Sequence, residues 1–147
     1  MTDNATVNAG MLAATQRTIL VVDDDPAMRM ILSYTLKGFG YLTLVAIDGE
    51  EALQVARNQP QIGMVILDVV MAGVSGKELA DQLQIDLPKA VILFCSGHAP
   101  EVMLLYGIDP GSAHFLQKPC RPPELQRKVE ELLASGAPDR PVQAEST

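Results

Sequence analysis

Apolar and polar positions along the chain follow two different periods, and segments of one kind alternate with segments of the other. Five short runs are rich in β-branched and other apolar residues, which is typical of strands buried within a sheet. These runs predict strands over residues 18–22, 41–46, 64–67, 91–95 and 113–117. The pattern therefore predicts a sheet built from five short strands.

Between these runs, apolar residues recur with the 3.6-residue period of a helix. Asp25 followed by Pro26 predicts an N-cap and a first helical turn, and Gly38 is predicted to end that helix. Ser75 and Glu78 have the spacing of a capping box, which predicts the start of another helix. The predicted helices cover residues 26–38, 50–59, 76–87, 100–106 and 124–134.

The strict alternation of strand and helix favours an α/β fold with one parallel sheet, because parallel neighbours need a crossover connection. Such crossovers are right-handed, which places helices on both faces of the sheet and makes it doubly wound. Ligands of these sheets bind beyond the carboxyl ends of the strands. Residues that directly follow the five predicted strands are therefore the candidates for a site.

The composition is that of one folded domain with polar ends. Apolar residues make up 48% of the 147 residues and charged residues 20%, as in an ordinary globular chain. Residues 1–16 and 136–147 have few large apolar side chains and no periodic pattern, so we expect flexible tails there. Residues 17–135 are left as the folded unit.

Charge and cysteine content exclude several classes of function. The formal net charge is −7 and the basic residues are scattered, which argues against a nucleic-acid surface. The apolar runs are too short to span a membrane, and residues 1–16 have no secretory signal. Cys95 and Cys120 do not amount to a disulfide framework, so we expect a reducing cytoplasm.

Charged and hydroxyl side chains follow four of the five predicted strands. Asp23 and Asp24 follow the first strand, Asp68 the third, Ser96 the fourth and Lys118 the fifth. Three carboxylates at one rim repel one another, and a hard divalent cation with oxygen ligands relieves that repulsion. One Mg²⁺ together with Lys118 brings the formal charge to zero. The sequence thus predicts a Mg²⁺ site.

The same set of groups suits phosphoryl transfer to a carboxylate, since a metal ion and a lysine stabilise charge on phosphoryl oxygens. Asp68 is the best candidate nucleophile because it stands alone at the end of the central strand. The small residues of segment 72–76 beside it leave the site accessible.

Four segments in this order resemble the receiver domain of two-component response regulators. They are ILVVDDDP at 19–26, VILDVVM at 65–71, SG at 96–97 and KP at 118–119. Successive intervals of 44, 28 and 22 residues separate Asp24, Asp68, Ser96 and Lys118, which is similar to the family's spacing. The match covers residues 17–135. It implies a flavodoxin-like sheet with strand order 2-1-3-4-5 and, here, a stand-alone single-domain regulator.

The resemblance assigns roles to the residues at the rim. Asp68 matches the phosphoacceptor, which receives its phosphoryl group from a histidine kinase or a histidine phosphotransfer protein. Asp23 and Asp24 match the acidic pair that positions Mg²⁺, helped by Asp68 and the backbone carbonyl of Val70. Lys118 matches the lysine that pairs first with the acceptor and then with the phosphoryl group.

Two further residues match the family's switch. Ser96 corresponds to the hydroxyl that moves to bond a phosphoryl oxygen, and Phe115 to the aromatic residue that turns inward when the hydroxyl moves. Lys118-Pro119 corresponds to a cis peptide bond. Such a domain catalyses only its own phosphorylation and dephosphorylation, so we expect a signalling module rather than an enzyme.

The sequence departs from the family pattern at several positions near the site. Ala72 replaces the usual proline, and Cys120 stands where an aromatic residue is common. Val70 and His98 occupy two positions that tune hydrolysis of the acyl phosphate in the family. The Val70 side chain cannot position a water molecule by hydrogen bonding, so we expect slow autodephosphorylation.

Other functions remain as alternatives. The chain could be the receiver part of a hybrid histidine kinase, a phosphate sink, or a phosphate-independent binding module that kept the fold. A phosphatase of the haloacid dehalogenase type also phosphorylates an aspartate beside Mg²⁺. That family has its nucleophile first, in an Asp-x-Asp motif, whereas here the acidic pair precedes Asp68 and Val69-Val70 follow it.

Overall fold

A five-stranded parallel sheet forms the centre of the computed structural model, which describes residues 17–71, 74–112 and 114–135. The strands are β1 (Thr18–Val22), β2 (Leu42–Ala46), β3 (Ile62–Asp68), β4 (Val91–Ser96) and β5 (Phe115–Gln117). Their order across the sheet is β2-β1-β3-β4-β5, and every neighbouring pair is parallel. The predicted α/β fold and strand order are confirmed.

Five helices connect these strands or follow them. They are α1 (Pro26–Gly38), α2 (Gly49–Asn58), α3 (Gly76–Asp86), α4 (Pro100–Leu105) and α5 (Pro122–Ser135). In the described residues, no helix combines the length and the apolar character that crossing a membrane requires.

Alternate residues of each strand pack into two separate cores, one on each face of the sheet. On β1, Ile19 and Val21 join the core that α1 and α5 close, and Leu20 and Val22 join the core that α2, α3 and α4 close. The buried helix residues of these cores are Leu32, Leu36, Leu125, Val129, Leu132 and Leu133 on the first face, and Ala52, Ala56, Leu79, Ala80, Leu83 and Met103 on the second. The sheet is therefore doubly wound, as predicted.

The ends of α1 show how local sequence sets a boundary. The Asp25 side chain accepts a hydrogen bond from the Ala27 amide at 3.0 Å, which makes it the predicted N-cap. The helix ends at Gly38, as predicted, but Gly40 is the residue with a positive φ, of 101°. The Tyr41 amide donates back to the Leu36 carbonyl, which completes a Schellman-type end.

A short hairpin after β3 was not predicted. Val70–Met71 pairs antiparallel with Val74–Ser75, directly after the strand that ends in Asp68. Strands of two residues are too short for a periodic pattern, so sequence analysis could not find them. The predicted tails, the segment 72–73 with Ala72, and Ala113 at the start of the predicted fifth strand lie outside the described residues.

Candidate functional site

The carboxyl ends of β1 and β3 bring three acidic side chains together. These strands are neighbours, and Val22 of β1 is in register with Leu67 of β3, so Asp23 and Asp68 follow at adjacent points of the rim. Asp23, Asp24 and Asp68 each offer a carboxylate oxygen, and these oxygens all lie within 4.8 Å of one another. Asp23 and Asp68 are buried, whereas Asp24 is exposed.

Lys118 reaches this acidic cluster from the far edge of the sheet. Its ammonium group donates a hydrogen bond of 2.6 Å to Asp23 Oδ2 and lies 3.7 Å from Asp68 Oδ2. The long side chain extends past the end of β4, and only 13% of it is exposed. The structure therefore joins four of the five predicted rim residues, Asp23, Asp24, Asp68 and Lys118, in one cluster.

Backbone amides hold the two buried carboxylates in place, and a guanidinium group holds the backbone of Asp23. The Asp25 amide donates to Asp23 Oδ1 at 3.0 Å, and the Val70 amide donates to Asp68 Oδ1 at 3.2 Å. The guanidinium group of Arg29 donates to the Asp23 carbonyl at 2.8 Å. Sequence analysis missed Arg29, although its place in the first turns of α1 is the available signal, since that end of the helix adjoins the acidic loop.

The electrostatics of the site show an excess of negative charge. Burial raises the pKa of Asp68 to about 6, the Asp23 and Asp24 charges add to the increase, and Lys118 and the Val70 amide oppose it. For Lys118, burial lowers the pKa, but the hydrogen bond to Asp23 and the charges of Asp68 and Asp23 outweigh burial, so its pKa is raised. Lys118 stays charged and leaves the cluster formally two charges negative.

A divalent cation with oxygen ligands fits this donor set. Mg²⁺ binds to carboxylates and carbonyl groups and retains several waters, and the two uncompensated negative charges equal its own charge. The three carboxylates converge within the 4.8 Å given above, without a histidine or thiolate among them. The chemistry of the donors therefore favours Mg²⁺ over a softer metal.

Ser96 lies fully buried at the end of β4, where its hydroxyl group bonds within its own loop. The oxygen accepts from the His98 amide at 3.0 Å and lies 3.3 Å from His98 Nδ1. The Ser96 carbonyl accepts from the Lys118 amide at 2.7 Å, which ties this loop to β5. His98 was predicted only as a position that tunes hydrolysis of the acyl phosphate, and nothing in the sequence indicated this contact with Ser96.

Phe115, the predicted switch residue, is buried in the second core, next to Phe94 of β4. The ring is therefore inside while the Ser96 hydroxyl still bonds with His98. A phenylalanine has no hydroxyl group that would favour a solvent-facing position, so burial of its ring is favourable in either state of Ser96.

Gln117 is a second residue that sequence analysis missed. Its side-chain amide donates to the Ser96 carbonyl at 3.3 Å and to the His98 carbonyl at 3.0 Å. No motif indicates it, because a glutamine at the end of an edge strand is ordinarily a solvated residue. The peptide bond between Lys118 and Pro119 just after it is cis.

The cysteines take no part in the site. Cys95 is buried, and burial raises the pKa of its thiol to about 12, so this group is a poor nucleophile. Cys120 is half-buried, and burial likewise raises the pKa of its thiol.

Fold and site together define a class of protein: a doubly wound α/β domain with a lysine-bridged acidic rim and a buried hydroxyl group at the next strand end. A family model described as "Response regulator receiver domain" matches residues 19–130. The chain belongs to the family of response regulator receiver domains.

Curated relatives are longer regulators of the same family. Response regulator MprA of Mycobacterium sp. (strain KMS) is 38% identical over 125 residues, which cover 82% of this chain and 52% of that protein. The "DNA-binding response regulator MtrA" of Mycolicibacterium smegmatis is 30% identical, over 80% of this chain and 51% of that protein. The chain spans about half the length of the curated relatives that it matches.

Solved structures of receiver domains share the fold. The receiver domain of the hybrid histidine kinase CckA is 33% identical, with a TM-score of 0.65 over 78% of this chain and 96% of that one. The response regulator TrrA of Thermotoga maritima, solved in complex with Mg²⁺ and BeF, is 32% identical, with a TM-score of 0.67 over 79% of this chain and 98% of that one.

These findings show that the chain is a signalling domain of a two-component system. Receiver domains accept phosphoryl groups from histidine kinases and bind Mg²⁺ through a cluster of acidic residues. The expected resemblance and fold are confirmed, and the acidic cluster of this chain consists of Asp23, Asp24 and Asp68.

Proposed function

We propose that Asp68 accepts a phosphoryl group from a phosphohistidine of a histidine kinase or a histidine phosphotransfer protein. The observation that carries this proposal is the Lys118 ammonium group, which contacts both Asp23 and Asp68 where three carboxylates converge. A lysine in that place can pair with Asp68 before transfer and with a phosphoryl oxygen afterwards.

The transfer step uses the oxygen of Asp68 that faces Lys118. Asp68 Oδ1 accepts a hydrogen bond from the Val70 amide, which leaves Asp68 Oδ2 as the nucleophile. Oδ2 attacks the phosphorus atom, and a P–O bond forms as the P–N bond to the donor imidazole breaks. The imidazole nitrogen keeps the electron pair and takes up a proton from solvent. Lys118 then donates to an oxygen of the transferred group.

The carboxylates of Asp23, Asp24 and Asp68 would hold Mg²⁺, together with the backbone carbonyl of Val70. When bound, Mg²⁺ supplies positive charge that offsets the charge on the phosphoryl oxygens. Asp23 is already fixed by the Asp25 amide and by Lys118, so it needs little rearrangement to act as a ligand. Asp24 is exposed and can adjust to the ion.

Phosphorylation then changes the surface that a partner protein reads. The new group adds a charge of about −1.5 to −2 and three strong acceptor oxygens. The Ser96 hydroxyl leaves His98 and donates to one of these oxygens, and Phe115 follows by repacking in the core. The proposed receiver unit comprises residues 17–135 and acts in the cytoplasm. The alternative is that the domain accepts the phosphoryl group by the same chemistry but acts only as a phosphate sink.

The test is phosphorylation by a small donor. Wild-type protein, Asp68→Asn and Asp81→Asn are incubated with acetyl phosphate and Mg²⁺, and the intact mass is recorded. We expect one added phosphoryl group on the wild type and on Asp81→Asn, whose carboxylate is exposed on α3, and none on Asp68→Asn or after chelation.

A phosphoryl group that persists on Asp68→Asn would contradict the assignment of the acceptor. If the wild type acquires no group from acetyl phosphate, a phosphorylated histidine phosphotransfer protein is used as the donor. Failure with both donors would favour the phosphate-independent binding module.

A further inference from the structure

The loop that follows β4 is fixed by one side chain from the neighbouring strand. Gln117 is the last residue of β5, and its side-chain amide nitrogen donates to two backbone carbonyls there, those of Ser96 at 3.3 Å and His98 at 3.0 Å. A single donor group thus bridges the two ends of the three-residue segment 96–98.

The same segment holds the Ser96 hydroxyl. Its oxygen accepts from the His98 amide at 3.0 Å and also lies 3.3 Å from His98 Nδ1, so both the backbone and the ring of His98 engage it. The position of His98 therefore decides where the hydroxyl points. Gln117 bonds to the His98 carbonyl. It therefore fixes His98, which in turn holds the Ser96 hydroxyl group.

We propose that Gln117 is a positioning residue that keeps the Ser96 hydroxyl bonded to His98. It thereby disfavours the arrangement that the site adopts on phosphorylation. This inference rests on the proposed function, in which Ser96 must leave His98 to reach a phosphoryl oxygen. Gln117 touches neither Asp68 nor the phosphoryl group. It acts through the loop 96–98 alone.

The direction of its effect follows from the bonds that must change. A hydroxyl group that is released from His98 is available to the phosphoryl group, so loss of the Gln117 bonds lowers the cost of reaching the phosphorylated arrangement. Both bonds are at least partly solvent-accessible, so their loss is expected to shift that equilibrium by about 2- to 10-fold. Cation binding needs no such movement and is expected to stay unchanged.

The experiment compares Gln117→Met with the wild type and with Gln126→Met. Methionine has the length of glutamine but no donor, and Gln126 is a glutamine of α5 that bonds Glu130. Beryllium fluoride, a phosphoryl mimic, is titrated in saturating Mg²⁺, and Mg²⁺ alone is titrated separately. We expect Gln117→Met to bind beryllium fluoride about 2- to 10-fold more tightly, with the Mg²⁺ affinity unaltered and Gln126→Met like the wild type.

Hydrogen exchange provides a readout that does not depend on phosphoryl chemistry. The His98 amide donates to Ser96 Oγ, so its protection in the metal-free protein is expected to fall in Gln117→Met and not in Gln126→Met. Unchanged or weaker beryllium fluoride affinity with unchanged His98 protection would overturn the inference. If the wild type fails to bind the mimic at all, the proposed function fails, and His98 protection alone still decides the role of Gln117.

Discussion

Asp68 combines burial with negative neighbours, and this combination makes the folded protein sensitive to its ionisation. Burial is the main cause that raises its pKa to about 6, whereas the unfolded chain has an ordinary aspartate pKa near 4. Between these values the folded state binds the proton and the unfolded state does not. The contribution of Asp68 to stability is therefore most favourable below about pH 4 and is lost as the pH rises through about 6.

Asp68→Asn should stabilise the metal-free protein at pH 7.5 by about 1–3 kcal/mol, because it removes the carboxylate that burial disfavours. Urea unfolding in the presence of a chelator measures this difference. The gain should shrink towards pH 4, where the wild-type carboxyl group is protonated. Asp81→Asn, at an exposed position of α3, should stay within about 0.5 kcal/mol of the wild type. A destabilised Asp68→Asn variant would show that Asp68 is favourably charged in the folded state.

Val70 bears on the lifetime of the phosphorylated form. Its side chain has no polar atom with which to orient a water molecule towards the acyl phosphate, so we expect slow autodephosphorylation. Val70→Asn adds an amide at the same place and should accelerate the loss of the phosphoryl group, which is followed by intact mass after removal of the donor. Rapid loss from the wild type, with no difference in Val70→Asn, would contradict this expectation.

At the scale of elements, the junction between β3 and α3 depends on a close backbone contact. The Gly76 amide donates to the Val69 carbonyl at 3.0 Å, and Val69 directly follows Asp68. A Cβ atom at Gly76 would lie 2.6 Å from that carbonyl oxygen and 2.7 Å from Val69 Cα. Both obstacles are backbone atoms, so the strand end or the helix would have to move.

Gly76→Ala should therefore destabilise the protein by about 1–3 kcal/mol and weaken cation binding, because it displaces the segment that carries Asp68. Gly38→Ala is the matched control, since a Cβ there meets nothing within 4 Å and alanine favours the helix. That control should be more stable by about 0.5–1 kcal/mol. Thermal unfolding and a Mg²⁺ titration check both variants, and a fully stable Gly76→Ala would mean that the junction is not tightly packed.

Sequence analysis could predict elements whose residues repeat a periodic pattern. The bounds of β1 and α1 were predicted without error, and β3 begins two residues earlier and ends one residue later than predicted, at Ile62 and Asp68. The hairpin at Val70–Met71 has too few residues for a pattern, so it was missed. The rim residues could be predicted because the carboxyl ends of parallel strands all lie on the same side of the sheet. The contacts of Gln117 could not, since they depend on loop geometry and a glutamine is ordinarily solvated, whereas the place of Arg29 in the first turns of α1 was a signal that went unused.

At the scale of the whole molecule, cation binding and folding are coupled. The three carboxylates come from two strands of the central sheet and lie close together only in the folded state. A ligand that binds only this state stabilises it, by about 2.7 kcal/mol when its concentration is 100 times its dissociation constant.

Mg²⁺ should therefore raise the unfolding temperature in a concentration-dependent way. Asp24→Asn should weaken this effect, because it removes an exposed ligand without leaving a buried group unpaired. Calorimetry at several Mg²⁺ concentrations tests the prediction, with Asp109→Asn as an acidic control away from the rim. An equal shift in Asp24→Asn and the wild type would place the stabilising cation elsewhere.

The pairing of Asp23 with Lys118 also bears on the order in which the site is completed during translation. The two residues are 95 positions apart, and Lys118 follows an edge strand that pairs only with β4. A nascent chain therefore contains Asp23, Asp24 and Asp68 long before the ribosome adds the lysine. The helix α5, which closes one of the two cores, is added later still, so the acidic rim and its lysine are completed together with the folding of the whole domain. A release of the chain before residue 118 would thus yield a product that lacks both the lysine and the closing helix, and we expect it neither to fold nor to signal.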